Sequence, residues 1–223
     1  MKKLKYIFLL AGALSLASCE SWLDEDPQYT INTKTQFSTV ENARQALMGC
    51  YGYMSADNAY GQAWQEVTFG YCGFGWSQTN GSSTDLLVSM DGGIDETINT
   101  MAWRGMYKVI GETNAFIANI ADSPLESADK LPMEAAARFL RALAYYNLAV
   151  TYGDVPLKTT PSAHDGVAVP RSPKNEVFEL VRTDWEFAYE NLPEKDDDGF
   201  ATKWAEKAYL GKLYHTLGCQ GDN

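Results

Sequence analysis

The chain has 223 residues, 45% of them hydrophobic and 13% aromatic, which suits one globular body with a real core and argues against disorder. It carries 18 basic and 29 acidic residues, a balance that speaks against nucleic acid as a partner and against a body lying flat on an anionic lipid surface. Beyond Cys19 there are Cys50, Cys72 and Cys219. Three thiols cannot all pair within one chain, and none has C-x-x-C spacing, so neither a disulfide framework nor a thiolate metal site is implied.

The first element is a leader. Residues 1–5 (MKKLK) are basic and residues 6–14 (YIFLLAGAL) are apolar, a run far shorter than the roughly 20 residues of a spanning helix. A short basic start, a short apolar core and small residues before a cut describe a secretory signal. Leu16-Ala17-Ser18-Cys19 resembles the bacterial lipobox, which implies cleavage after residue 18, acylation of Cys19 and anchoring to the outer membrane through that N-terminal lipid. Removing residues 1–18 takes away Lys2, Lys3 and Lys5 and no acid, so the balance becomes 15 against 29, a net −14. Glu20 to Asp26 (ESWLDED) then reads as a polar tether, and acidic residues in that place resemble a signal for export to the cell surface.

Helices follow in chain order. Ser38-Thr39-Val40-Glu41 fits a capping box with Ser38 as N-cap, ahead of a face formed by Val40, Ala43, Leu47, Cys50, Tyr51 and Met54. Residues 55–100 lack a helical period and read as loop with short helical pieces. The spacing predicts a second helix from Met101 to Ala121 with Trp103, Tyr107, Ile110, Ile117 and either Ile120 or Ala121 inward and Arg104 and Lys108 outward. A third runs from Pro132 to Tyr152 on Phe139, Leu143, Tyr146 and Val150, with Gly153 at its end. A fourth opens at Ser172-Pro173 and stops before Pro193, with Val177, Val181, Trp185, Ala188 and Leu192 inward. A fifth starts near Thr202, is lined by Ala205, Tyr209, Leu213 and Leu217, and ends at Gly218. The best short strand is Gly166 to Pro170. Small residues (Ala136, Ala142, Ala144, Ala149, Ala188, Ala205, Ala208, Gly211) permit close helix approach, so the expected fold is all-α, made of helical hairpins stacked in tetratricopeptide fashion with long irregular loops.

No residue constellation calls for catalysis, a metal or a cofactor. His164 and His215 have no partner nearby in sequence, and there is no G-x-S-x-G or H-E-x-x-H. Asp196-Asp197-Asp198-Gly199 lacks the alternate spacing of a calcium loop and reads as a solvated turn. Sugar rings offer an apolar C–H face and a rim of hydroxyls, which aromatic surface beside amides or carboxylates matches. Residues 51–76 hold eight aromatics: Tyr51, Tyr53, Tyr60, Trp64, Phe69, Tyr71, Phe74 and Trp76. Most are expected to pack inward. Trp76 is the best platform, with Tyr71 before it and Asn80 after it. The helical aromatics Trp103, Tyr107, Tyr146, Trp185 and Tyr209 are assigned to the core.

Several blocks resemble SusD/RagB outer-membrane lipoproteins. They are the lipobox with SWLDEDPQ after it, WRGMYKVIGETN at residues 103–114, EAAARFLRALAYYNLAVTYGDVPL at 134–157, RSPKNEVFELVRTDWEFAYENLP at 171–193 and GFATKWAEKAYLGKLYHTLG at 199–218. Phe200, where an arginine is usual, and the bulky Lys203-Trp204-Ala205-Glu206 depart from the pattern. The resemblance implies a surface lipoprotein that binds a glycan or another nutrient polymer without cleaving it and passes it to a SusC-like TonB-dependent transporter. It also places the ligand loop after Thr84-Asp85 and so adds Asp85, Ser89 and Asp91 as hydrogen-bonding candidates. Members of the family are usually more than twice this long, so the chain is expected to be its N-terminal half: a signal at 1–18, a lipidated tether at 19–37 and a helical domain at 38–223. A helical lipoprotein that binds only protein partners is the alternative.

Overall fold

The computed structural model describes residues 33–73, 75, 83–91, 97–161, 169–196 and 198–219. In chain order the elements are α1 (Thr33–Gln36), α2 (Val40–Ser55), a π-helical turn (Asp57–Gly61), α3 (Ala63–Tyr71), α4 (Ser83–Val88), α5 (Thr97–Ala121), α6 (Ser127–Tyr152), β1 (Val155–Pro156), β2 (Arg171–Ser172), α7 (Lys174–Asn191) and α8 (Lys203–Cys219). Among the described residues the fold is all-α apart from the two-residue antiparallel ladder of β1 and β2. Helices α5 and α6 form one hairpin across the turn at 122–126, α7 and α8 form the next, and α6 packs along both α5 and α7. This is the stacked-hairpin architecture expected from the helical spacing.

Most of the helical faces are as the spacing predicts, with shifts at the ends. Helix α2 buries Ala43, Leu47, Cys50 and Met54, and burial pushes the Cys50 thiol up to about 12. Its N-cap is Thr39, whose Oγ1 accepts from the Asn42 N–H at 3.2 Å, and not Ser38, whose hydroxyl donates to the Thr35 carbonyl instead. Val40 then stands at the first helical position, 37% exposed, off the core face expected for it. Helix α5 starts a turn before Met101 because Ile98 is buried there. Gly105 in its third turn has no room for a side chain: an added Cβ would lie 1.9 Å from the Asn58 carbonyl oxygen, so the π-turn rests directly on the helix backbone.

Helix α6 is buried on every side from Ala135 to Ala149 apart from Arg138, the mark of a helix at the centre of a stack. It starts at Ser127, so Pro132 lies inside it and costs one backbone bond near the start. Val150, expected inward, is exposed. Gly153 ends the helix with φ 74° and its N–H on the Ala149 carbonyl. Helix α7 buries Val177, Val181, Trp185, Ala188 and Leu192 as expected. Ser172 is not its cap but a strand residue paired with Val155, and the capping acceptor is Asp154 Oδ1, 2.9 Å from the Lys174 N–H. The strand lies at Arg171–Ser172, just after the stretch expected to hold it, of which residues 166–168 lie outside the described residues. Helix α8 continues through Gly218 to Cys219, and its Ala208 and Gly211 face outward, so they serve no helix contact here.

A buried polar network crosses three helices. Arg141 Nε and Nη2 grip the two Asp184 carboxylate oxygens at 2.7 and 2.8 Å, and Arg141 Nη1 donates to Asn114 Oδ1 at 2.8 Å. Asn114 Nδ2 donates in turn to the Lys158 and Thr160 carbonyls at 2.9 and 3.3 Å. Around Trp185, whose Nε1 donates to the Phe139 carbonyl, Tyr146 and Tyr209 pack with ring centroids 5.5 Å away and join α6, α7 and α8.

The acidic turn before α8 is more than a solvated loop. Asp196 Oδ1 accepts from the Asp198 and Phe200 N–H groups, and Arg44 of α2 reaches Asp196 at 3.3 Å and Asp198 at 2.6 Å. Partial burial works against the Asp196 charge, but the two N–H groups and Arg44 prevail and hold its carboxyl below its ordinary range. Phe200 takes the Arg44 guanidinium over its ring at 4.7 Å and packs on Tyr51, whose hydroxyl accepts from the Ala201 N–H at 2.9 Å. Asp197 lies outside the described residues.

Two outcomes follow from these contacts. Arg141→Leu leaves Asp184 charged and without its fork in the interior and lowers stability by about 3–5 kcal/mol in chemical denaturation, whereas the Arg141→Leu/Asp184→Leu pair loses much less. Glu206 of α8 is fully buried and neither carboxylate oxygen has a hydrogen-bond partner among the described residues; burial, then the charge of Glu186, pushes it from 4.5 up to about 7. The folded state therefore holds a proton that the unfolded chain has released, and stability falls as pH rises from 4.5 to about 7. Glu206→Leu flattens that slope and raises stability above neutral pH by roughly 2–3 kcal/mol, read from melts across the pH range.

Candidate functional site

The aromatic residues of α5 and α6 do more than fill the core. Trp103 and Tyr107 stand one turn apart on α5 with ring centroids 5.0 Å apart. Tyr152, in the last turn of α6, meets the Trp103 ring edge-on at 5.1 Å and donates its hydroxyl to the Asn99 carbonyl at 3.2 Å. Trp103, Tyr107 and Tyr152 are only half-buried. Trp103, assigned to the core from its spacing, thus keeps part of its ring on the surface.

The chain after α6 is tied down beside these rings. Tyr107 Oη donates to the Pro156 carbonyl at 2.7 Å, and Tyr145 Oη donates to the Lys158 carbonyl at 2.8 Å and accepts from the Lys158 N–H at 2.7 Å. With the Asn114 bonds to Lys158 and Thr160, these contacts fix β1 and the residues after it. Strand β1 in turn pairs Pro156 with Arg171, which places Arg171 next to the α5 aromatics. Burial, and after it the nearby Tyr145, pushes the Tyr107 hydroxyl well above its ordinary value, and the positive charge of Arg171 opposes that rise.

The result is an open cleft of about 300 Å³ lined by Asn99, Thr100, Trp103, Tyr152 and Arg171. Its walls are two aromatic rings, and its polar groups are an amide, a hydroxyl and a guanidinium. An apolar ring surface with a few convergent polar groups is the chemistry that holds a sugar ring. Asn99 and Thr100 stand in the first turn of α5, at the positive end of a 25-residue helix with no acidic residue in that turn.

Of the residues singled out from the sequence, Asp85, Ser89 and Asp91 are described and do not line this cleft. Trp76 and Asn80 fall outside the described residues, as does the side chain of Tyr71 at the end of α3. Asp85, Ser89 and Asp91 come together on α4 and the turn after it. Asp85 is half-buried, while Ser89 and Asp91 are exposed. The Ser89 hydroxyl donates back to the Asp85 carbonyl at 2.9 Å, and Met90 takes φ 57° to end the helix. Of the other early aromatics, Trp64 is buried and Tyr51 and Tyr60 are half-buried against the core, in line with the inward packing expected of most of them, whereas Tyr53 and Phe69 are exposed. The cleft residues carried no spacing signal: Trp103, Tyr152 and Arg171 come from three separate blocks, and only the β1–β2 pairing and the α5–α6 hairpin bring them together.

Known proteins resemble the chain along most of its length. A "SusD-like protein P25" of Formosa agariphila is 25% identical over 223 residues, 94% of this chain and 42% of that protein. A solved SusD superfamily protein of Bacteroides vulgatus superposes with a TM-score of 0.74 at 16% identity, over 83% of this chain and 42% of that one. A structure solved with a xylogluco-oligosaccharide superposes with a TM-score of 0.65 at 25% identity, over 76% of this chain and 34% of that one. The chain spans less than half the length of each of these. Residues 21–215 match a SusD-like family described as starch-binding and associating with the outer membrane, and the chain belongs to that family.

Proposed function

We propose that the chain is the helical part of a non-catalytic surface lipoprotein that binds a glycan and delivers it to a SusC-like TonB-dependent transporter. In this reading residues 1–18 are a signal, Cys19 carries the lipid that anchors the protein to the outer membrane, 19–37 form the tether and 38–223 the binding domain, facing the cell exterior. Family membership and the sugar seen with a structural relative support it. The observation that carries it is the cleft, where Trp103 and Tyr152 offer ring surface beside Asn99 and Thr100. The loop residues Trp76, Tyr71, Asn80, Asp85, Ser89 and Asp91 are a second proposed contribution to the same ligand.

Affinity electrophoresis of the purified protein in gels containing a panel of neutral and charged polysaccharides tests this. At least one polymer retards the wild type, and Trp103→Ala weakens that retention by about tenfold while keeping its helical circular dichroism. Trp76→Ala reports separately on the loop. Retention of nothing in the panel overturns glycan binding, and full retention by a folded Trp103→Ala variant removes the cleft from it.

A further inference from the structure

The arginines of this acidic chain are mostly occupied. Arg44 holds Asp196 and Asp198, Arg138 holds Glu134 and Asp184, Arg141 holds Asp184, and Arg182 bridges Glu179 and Glu186. Arg171 differs. It is exposed at the cleft and makes no ion pair among the described residues. Asp154, just before β1, is engaged in capping α7 through the Lys174 N–H. A guanidinium left without a carboxylate in a chain with 29 acidic residues is a donor fork in need of an acceptor. The cleft also takes in Asn99 and Thr100 from the first turn of α5.

Resting on the glycan reading above, we infer that the cleft selects a sugar bearing an anionic group, a carboxylate or a sulfate, with the ring lying against Trp103 and Tyr152 and the charged group on Arg171. The division of labour is physical. Ring stacking on an aromatic face is insensitive to charge, whereas the planar guanidinium fork matches an oxyanion bidentately and gains little from a neutral hydroxyl. The net charge of the chain repels an anionic polymer at long range, but over more than about 10 Å that repulsion is screened at moderate salt, while a contact in the cleft is not.

The test compares polymers that differ only in charge: polygalacturonate against its methyl ester for the carboxylate, and dextran sulfate against dextran for the sulfate. Wild type binds at least one charged member about tenfold more tightly than its neutral partner in affinity electrophoresis. Whichever pair shows the difference identifies the group. Arg171→Gln brings the two members of that pair to within about twofold of one another, while Arg171→Lys recovers part of the preference because it keeps the charge and loses the fork. Equal binding of charged and neutral members by the wild type, or a preference that survives Arg171→Gln, overturns the inference. If Trp103→Ala abolishes retention while Arg171→Gln changes nothing, the cleft stands as a sugar site and only its charge selectivity fails. If no polymer is retained at all, the glycan reading fails with it.

Discussion

Everything near the cleft depends on the buried contact of Arg141 with Asp184 and Asn114. A charge pair in the interior loses its hydration, and that loss is tolerated only when nearly every donor and acceptor finds a partner. Here all three guanidinium nitrogens, both carboxylate oxygens and both ends of the Asn114 amide are engaged. Because those partners come from α5, α6, α7 and the segment after β1, their geometry admits one register of the three helices. Apolar packing alone is less demanding: α6 is lined with alanines, and a stripe of small residues accepts more than one sliding position of its neighbours. The polar network selects among them.

That register is what builds the cleft. Asn114 and Tyr145 hold the backbone at Lys158, Tyr107 holds it at Pro156, and β1 then delivers Arg171 to the edge of the Trp103–Tyr152 pair. The site therefore rests on long helices and short hydrogen bonds, which suits a surface that must keep its shape before a ligand arrives. The turn at Asp196 does the same work on α8. Arg44 and the Tyr51 hydroxyl, both from α2, fix the approach to that helix, and Phe200 supplies the ring between them.

Much of the fold was legible in the residues. The apolar stripes of α2, α6 and α7 sit at helical spacing, and Gly153 and Pro193 mark ends that the structure keeps. The errors are of one kind. Ser38 and Ser172 are sound caps by residue type, but Thr39 and Asp154 take those roles because a neighbouring turn and a strand pairing have already claimed the serines. Val150 continues a stripe by number, yet it is exposed in the last turn of α6. Local patterns state what a residue can do, and competition among neighbours decides which of them does it.

By itself, the sequence determined that the chain is helical, that its hairpins stack, that its composition is acidic and globular, and that its blocks resemble one family. These follow from periodicity, propensity and composition, which act over a few residues at a time. Only the tertiary structure decided that Trp103 keeps an exposed edge and that, among the described residues, Glu206 is buried without a hydrogen-bond partner and Arg171 has no ion pair beside two aromatic rings. Each of those is a property of what lies across a helix interface or a strand pairing tens of residues away. Burial and unpaired charge belong to the space between elements, and no spacing along one element records them.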